Sequence, residues 1–128
     1  MINLAQIDEI HGRLGSQETL ADYVRALRSI GVTRYDSFVR DGHSEFVDAG
    51  GGTVVTPAVH SPLEISAAVD AGAARLHLDR HARGETGYLE MSHGLAESGI
   101  DRWTVDTAAM TMAFRDGNGN ACIVEAIA

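Results

Sequence analysis

Twice in this chain a helical stripe of apolar residues stops at a glycine and gives way at once to alternation of period two. Leu20, Tyr23, Val24, Leu27 and Ile30 form the first stripe, and Gly31 follows where a helix-ending glycine belongs. Gly31-Val32-Thr33-Arg34-Tyr35 then leads into a strand pattern. Gly99-Ile100-Asp101-Arg102-Trp103 repeats the same junction in the second half. A helix must bury its stripe and a strand pair must bury one face, so the two together call for two layers. We expect an α+β fold, a two-layer sandwich of antiparallel sheet packed against helices, with an internal repeat of helix plus hairpin.

The remaining elements follow from local chemistry. Ile2, Leu4, Ile7, Ile10 and Leu14 mark a first helix, capped by Asn3 and ended between Gly12 and Ser16. The second helix starts at Ser16 or Thr19. Tyr35 to Arg40 reads as a strand, Asp41-Gly42 as a hairpin turn, Ser44 to Val47 as the returning strand and Thr53 to Thr56 as a third. Gly50-Gly51-Gly52 lies between strands rather than before a helix, which makes it a turn and not a phosphate loop. A short strand is expected at Leu63 to Ser66. A helix follows from Asp70 to Ala82, stopped by Gly84, and another opens at Thr86 and ends at Gly99. Trp103 to Phe114 and Ala121 to Ile127 read as a closing hairpin. Its first strand changes parity, which calls for two covered faces or a bulge near Asp106 to Ala108. The expected order is α-α-β-β-β-β-α-α-β-β in a single domain over residues 1–128.

Composition removes several functions. The chain has 128 residues, a formal net charge of −8 and a sequence pI near 5.0. All its basic side chains are arginines, so no lysine exists for a nucleotide-phosphate loop, a Schiff base or lysine-based aldolase chemistry. Cys122 stands alone, which excludes an intramolecular disulfide and cysteine-rich metal sites. Its apolar neighbours mark it as an inert thiol. An acidic chain without a basic run is a poor nucleic-acid partner. No apolar run approaches the ~20 residues of a membrane span, and the N-terminus does not read as a signal peptide. We therefore expect a cytoplasmic protein with no nucleic-acid or membrane partner and no cofactor.

A few residues can carry chemistry. His77 and His81 have metal-ligand spacing on one helix, but no third ligand is evident, so no metal is assigned. His43 at the Asp41-Gly42-His43 hairpin tip can exchange protons near neutral pH. Glu125 and Asp106 sit in apolar stretches. If buried, each must be protonated or paired, for instance with Arg34, Arg102 or a histidine. Tyr35, Tyr88 and Trp103 are candidate walls of a cleft between sheet and helices. The same residues can instead be an exposed turn histidine, two structural ion pairs and core aromatics.

With these segments in place the sequence resembles the YdfO-like family of small bacterial and prophage proteins, a domain of unknown function. Some of its members are labelled phage envelope protein. The likeness is carried by Gly31 to His43, by His81-Ala82-Arg83-Gly84-Glu85-Thr86-Gly87-Tyr88, and by Ser98 to Asp106. Asn118-Gly119-Asn120 and Val124-Glu125-Ala126-Ile127 add to it. The resemblance implies a two-layer α+β fold and no activity. The chain departs from the pattern at Ala82, usually Gln, at Met112, often Cys, and at Gly87, often Asp.

Two functional expectations follow. In the first, a small organic molecule lies between sheet and helices. Cofactor-free proton transfer, as in an isomerase, cyclase or lyase, would use His43 or His81 with Asp106 or Glu125, and Tyr35, Asp41, Tyr88 and Trp103 would hold the ligand. In the second, the chain is a non-enzymatic interaction module of stress or prophage origin, acting as a homodimer or with a protein partner.

Overall fold

A computed structural model describes residues 2–15 and 19–127. The elements in chain order are α1 (Leu4–Leu14), α2 (Leu20–Ser29), β1 (Val32–Phe38), β2 (Ser44–Asp48), β3 (Thr53–Val55), α3 (Ala71–Ala82), α4 (Tyr88–Glu97), β4 (Ile100–Asp106), β5 (Thr111–Asp116) and β6 (Ala121–Ala126). The strands form one antiparallel sheet in the order β3-β2-β1-β4-β5-β6. The protein is therefore α+β, with four helices and six strands among the described residues. None of those helices is long and apolar enough to cross a membrane.

The helix ends obey their capping residues. The Asn3 side chain accepts from the Gln6 backbone N–H at 2.9 Å, and the Gln6 side chain answers the Asn3 N–H at 3.0 Å. Asp70 accepts from Ala73 N–H at 3.0 Å and starts α3. α2 begins after Thr19, and the other expected start, Ser16, lies outside the described residues. Gly50-Gly51-Gly52 wraps a carboxylate of the chain itself: Asp48 Oδ1 accepts from the backbone N–H of Gly50 and Gly52. Asp116 Oδ1 does the same for Asn118 and Asn120 at the β5–β6 turn.

Two expectations are corrected. Residues 63–66 form no strand. Leu63 and Ile65 pack on the core, but this stretch makes isolated backbone bonds, Leu63 N–H to Arg40 O and Ser66 N–H to Ala96 O, instead of a ladder. The alternation there serves burial without sheet pairing. Trp103 to Phe114 is two strands, not one. The parity change is a turn at residues 107–110, where the Thr107 hydroxyl donates to Val32 O at 2.7 Å and Met110 adopts φ 55°. The closing hairpin is thus a three-stranded meander, and the order becomes α-α-β-β-β-α-α-β-β-β.

Each triplet of strands is covered by the helical pair that precedes it. Ile7, Ile10, Val24 and Leu27 of α1 and α2 pack on Tyr35, Phe46 and Val105. Ala74, Met91 and Leu95 of α3 and α4 pack on Ile100, Phe114 and Ile123. These are two core clusters on one face of the sheet. Trp103 and Met112 touch both and floor the gap between them. The register fixes which side chains share that face, since Tyr35 stands opposite Phe46 and Val105, Ser37 opposite Ser44 and Trp103, and Met112 opposite Glu125. The other face is polar, with Asp36, Glu45 and Thr104 at its centre.

Candidate functional site

A cleft of about 850 Å³ opens between the two helical pairs, over the middle of the sheet. That volume is within the range of small-molecule sites. Its floor is Tyr35 and Ser37 of β1, Ser44 and Phe46 of β2, Trp103 of β4, Met112 and Phe114 of β5 and Glu125 of β6. One wall comes from α1 and α2, with Ile7, Asp8, His11 and Tyr23. The other comes from α3 and the start of α4, with Arg75, Leu78, Asp79, His81 and Tyr88. Thr56, Pro57 and Val59 of the segment after β3 close one end. The chain has seven Phe, Tyr and Trp residues, and six of them border this cleft.

The rings hold one another in place. Tyr23 meets Tyr35 edge-on at 6.1 Å and Tyr35 stacks on Phe46 at 5.0 Å. Trp103 and Phe114 tilt together at 6.1 Å. Burial pushes the Tyr23 phenol up to about 12 and raises Tyr35 further, so both stay neutral. Burial also raises Tyr88. Tyr35 is only 4% exposed, yet its hydroxyl makes no hydrogen bond among the described residues.

The polar groups divide between the walls. Arg75 is held by Glu125 and by Asp79 at 3.9 Å, so the cleft's single guanidinium is already engaged. His81 lies in the last turn of α3. Its Nδ1 hydrogen-bonds the Thr86 carbonyl at 3.0 Å, which makes Nδ1 the protonated nitrogen and leaves Nε2 open. His11 meets Tyr23 edge-on at 5.9 Å.

The structure thus brings His81, Glu125, Tyr35, Tyr88 and Trp103 to one cleft, while His43, Asp41 and Asp106 stand elsewhere. His43 belongs to the β1–β2 turn and stacks on Phe38 at 4.4 Å, with the Arg102 guanidinium 5.5 Å from the Phe38 ring. Its Nδ1 meets Asp41 and its Nε2 meets Glu45 at 3.1 Å. Burial works against the charged ring, but those bonds outweigh it and raise the His43 pKa. Asp41 is lowered: burial opposes its charge, and the His43 backbone and ring bonds prevail. Both ring nitrogens of His43 meet carboxylates and clamp the turn, and His43 is not among the residues that line the cleft. Asp106 is exposed and accepts from the N–H of Ala108 and Ala109, which makes it a turn residue. It forms no carboxylate pair with Glu125. Glu125 lines the cleft paired with Arg75, its side chain 38% exposed, rather than fully buried. The ring of His77 packs on Gly94 of α4. Among the described residues no group of three His, Cys, Asp or Glu side chains could hold a metal.

Sequence reasoning passed over His11, Tyr23, Arg75 and Asp79. The charged ones read as the solvated face of a helix, and Tyr23 read as one residue of a core stripe. No local signal shows which two helical pairs will face one another.

Fold and site together define a two-layer α+β domain with an aromatic-walled cleft between two helical pairs. Residues 8–126 match the family described as "Protein of unknown function (DUF1398)", and the chain belongs to that family. No curated protein matches it.

Proposed function

We propose that this chain binds a small, largely apolar organic molecule in the cleft. The observation that carries this reading is the open 850 Å³ space over the middle of the sheet, bordered by six of the seven aromatics. Aromatic walls give apolar burial, and a few fixed polar groups give orientation. We read the chain as a YdfO-like member of its family. Ala82 and Met112, where it departs from that pattern, both line the cleft, and Gly87 caps the helix that carries Tyr88.

Trp103 is the sole tryptophan and floors the cleft, so its emission reports directly on occupancy. The test is a metabolite panel followed by Trp103 emission and melting temperature, with Ser37→Leu as the cleft-filling control. Binding by the wild type that Ser37→Leu abolishes is expected. A panel that leaves both signals unchanged, or ligands that bind Ser37→Leu equally well, would refute the reading.

The fixed tautomer of His81 favours a catalytic extension. With Nδ1–H committed to Thr86, Nε2 is the base that would accept a proton from a bound substrate, and Glu125 with Arg75 would orient that substrate. The reaction would be a cofactor-free isomerisation, cyclisation or elimination. Once a ligand that turns over is in hand, His81→Gln is expected to cut turnover about 10²- to 10⁴-fold while binding survives. Unchanged turnover removes His81 from the mechanism.

One observation favours the interaction module instead. β6 ends the sheet, carries no Lys, Arg or Pro, and exposes Val124 by 61%. Such an edge can pair with a second copy. A dimer in solution that Val124→Lys dissociates would support that reading, and a monomer would end it.

A further inference from the structure

The charges around the cleft specify more than apolar filling. Asp8, Asp79 and Glu125 border it against one cation, Arg75. That guanidinium already lies between Glu125 and Asp79 through one of its nitrogens, so a ligand carboxylate or phosphate reaching it would meet the repulsion of both carboxylates. An anion entering the cleft also meets two further obstacles. The π-faces of the surrounding rings are electronegative, and the whole chain carries −8. A cation meets the reverse on all three counts, because aromatic faces, the excess of carboxylates over the one guanidinium and the overall field attract positive charge. The hydroxyl of the cleft-lining Tyr35, which makes no hydrogen bond among the described residues, is an acceptor for an ammonium N–H. His11 and His81 also line the cleft, and the open Nε2 of His81 is a further acceptor.

We propose that the cleft selects organic cations, amines or quaternary ammonium compounds whose apolar body lies against the rings and whose positive end lies among Asp8, Asp79 and Glu125. The inference rests on the small-molecule reading above and narrows it to one charge class.

Four probes of similar size separate charge from shape: 2-phenylethylammonium, benzyltrimethylammonium, 2-phenylethanol and 3-phenylpropionate. Each is titrated against the full chain at low ionic strength, with Trp103 emission as the readout and melting temperature as a check. The two cations are expected to bind at least about tenfold more tightly than the carboxylate, with the alcohol between them. Added salt should narrow the gap. Asp79 is half exposed, so Asp79→Asn keeps the fold, and it should weaken the cations about three- to tenfold without changing the alcohol. A carboxylate probe that binds as tightly as the cations, or cation affinity indifferent to Asp79→Asn, overturns the proposal. If alcohol and carboxylate bind but the cations gain nothing, the charge selection falls and the cleft as a binding site stands. If none of the four alters Trp103 emission or melting, both fall.

Discussion

Replacing Gly42 with alanine tests whether the β1–β2 turn is docked against the end of the cleft. Gly42 has φ +78°, and a Cβ there would overlap Val59 Cγ2 and lie 3.1 Å from Tyr88 Oη. The neighbouring backbone is tied in as well, since Asp41 O accepts from the N–H of Val59 at 2.8 Å and of His60 at 3.2 Å. Two costs follow. An L-residue in the left-handed region costs about 1 kcal/mol. Forcing a methyl against Val59 adds about 1–3 kcal/mol. Gly51 separates the two, because its φ is +84° and nothing lies within 4 Å of its added Cβ. Gly51→Ala should therefore lose about 1 kcal/mol and Gly42→Ala about 2–4 kcal/mol. For a domain of this length each kcal/mol lowers the melting temperature by about 4 °C. Urea unfolding followed by Trp103 emission measures both. Val59→Ala removes the overlapping methyl and leaves only the tight Tyr88 Oη and His60 Cδ2 contacts, so the double variant should recover most of the difference from Gly51→Ala. If Gly42→Ala is no worse than Gly51→Ala, or if Val59→Ala restores nothing, the turn is not docked as described.

Three other perturbations address the cores and the turns. Leu27 and Leu95 are each fully buried in separate clusters, so Leu27→Ala and Leu95→Ala should each cost about 3 kcal/mol and add to within about 0.5 kcal/mol in the double variant. Strong coupling in urea melts would mean one core. The His43 pKa is raised above its ordinary 6.5, so its clamp on Asp41 and Glu45 stabilises fully below that value and fades as pH rises through the folded pKa. The stability gap between wild type and His43→Ala should be wider at about pH 5.5 than at about pH 9, and a gap that is flat or grows with pH contradicts the clamp. Asp106→Ala should cost about 1 kcal/mol through the lost turn bonds and leave ligand binding at the cleft intact. A binding defect in a folded Asp106→Ala would return it to the site.

How much was legible in advance depended on whether the signal was local. Asn3 and Asp70 announce helix starts because a short polar side chain has few other ways to satisfy orphan N–H groups. The stripe from Leu20 to Leu27 and the Asp41-Gly42 turn are equally local, and each element formed there. The stretch at Leu63 and Ile65 misled because burying every second residue does not require a strand partner. The turn at 107–110 was hidden for the opposite reason. It lacks glycine and proline, and it is held by a long-range bond from Thr107 to Val32 O together with a left-handed Met110. Tyr35, Tyr88 and Trp103 were legible as cleft walls because aromatics are scarce here. The sequence shows His43 at a turn but not the two carboxylates that meet its nitrogens. Arg75 and Asp79 become part of a site only when α3 faces β6 across the register that sets Met112 beside Glu125.

A tyrosine held in a core for packing alone ordinarily finds a partner for its hydroxyl within the protein. Tyr35 departs from that. It is 4% exposed, lines an open cleft and makes no hydrogen bond among the described residues. A hydroxyl that faces the cleft and bonds to no protein group adds little to stability, so removing it should cost little. Tyr35→Phe is therefore expected to melt close to the wild-type temperature while binding an ammonium probe such as 2-phenylethylammonium less tightly, about tenfold or more for one lost charge-assisted bond. Binding lost while stability holds is the mark of a polar group kept for a ligand. A purely structural tyrosine would lose both together. Thermal melts of both proteins, alone and with saturating probe, make the comparison. If Tyr35→Phe loses more than about 1 kcal/mol without ligand, its hydroxyl has a structural partner and the argument for a vacant acceptor in the cleft fails.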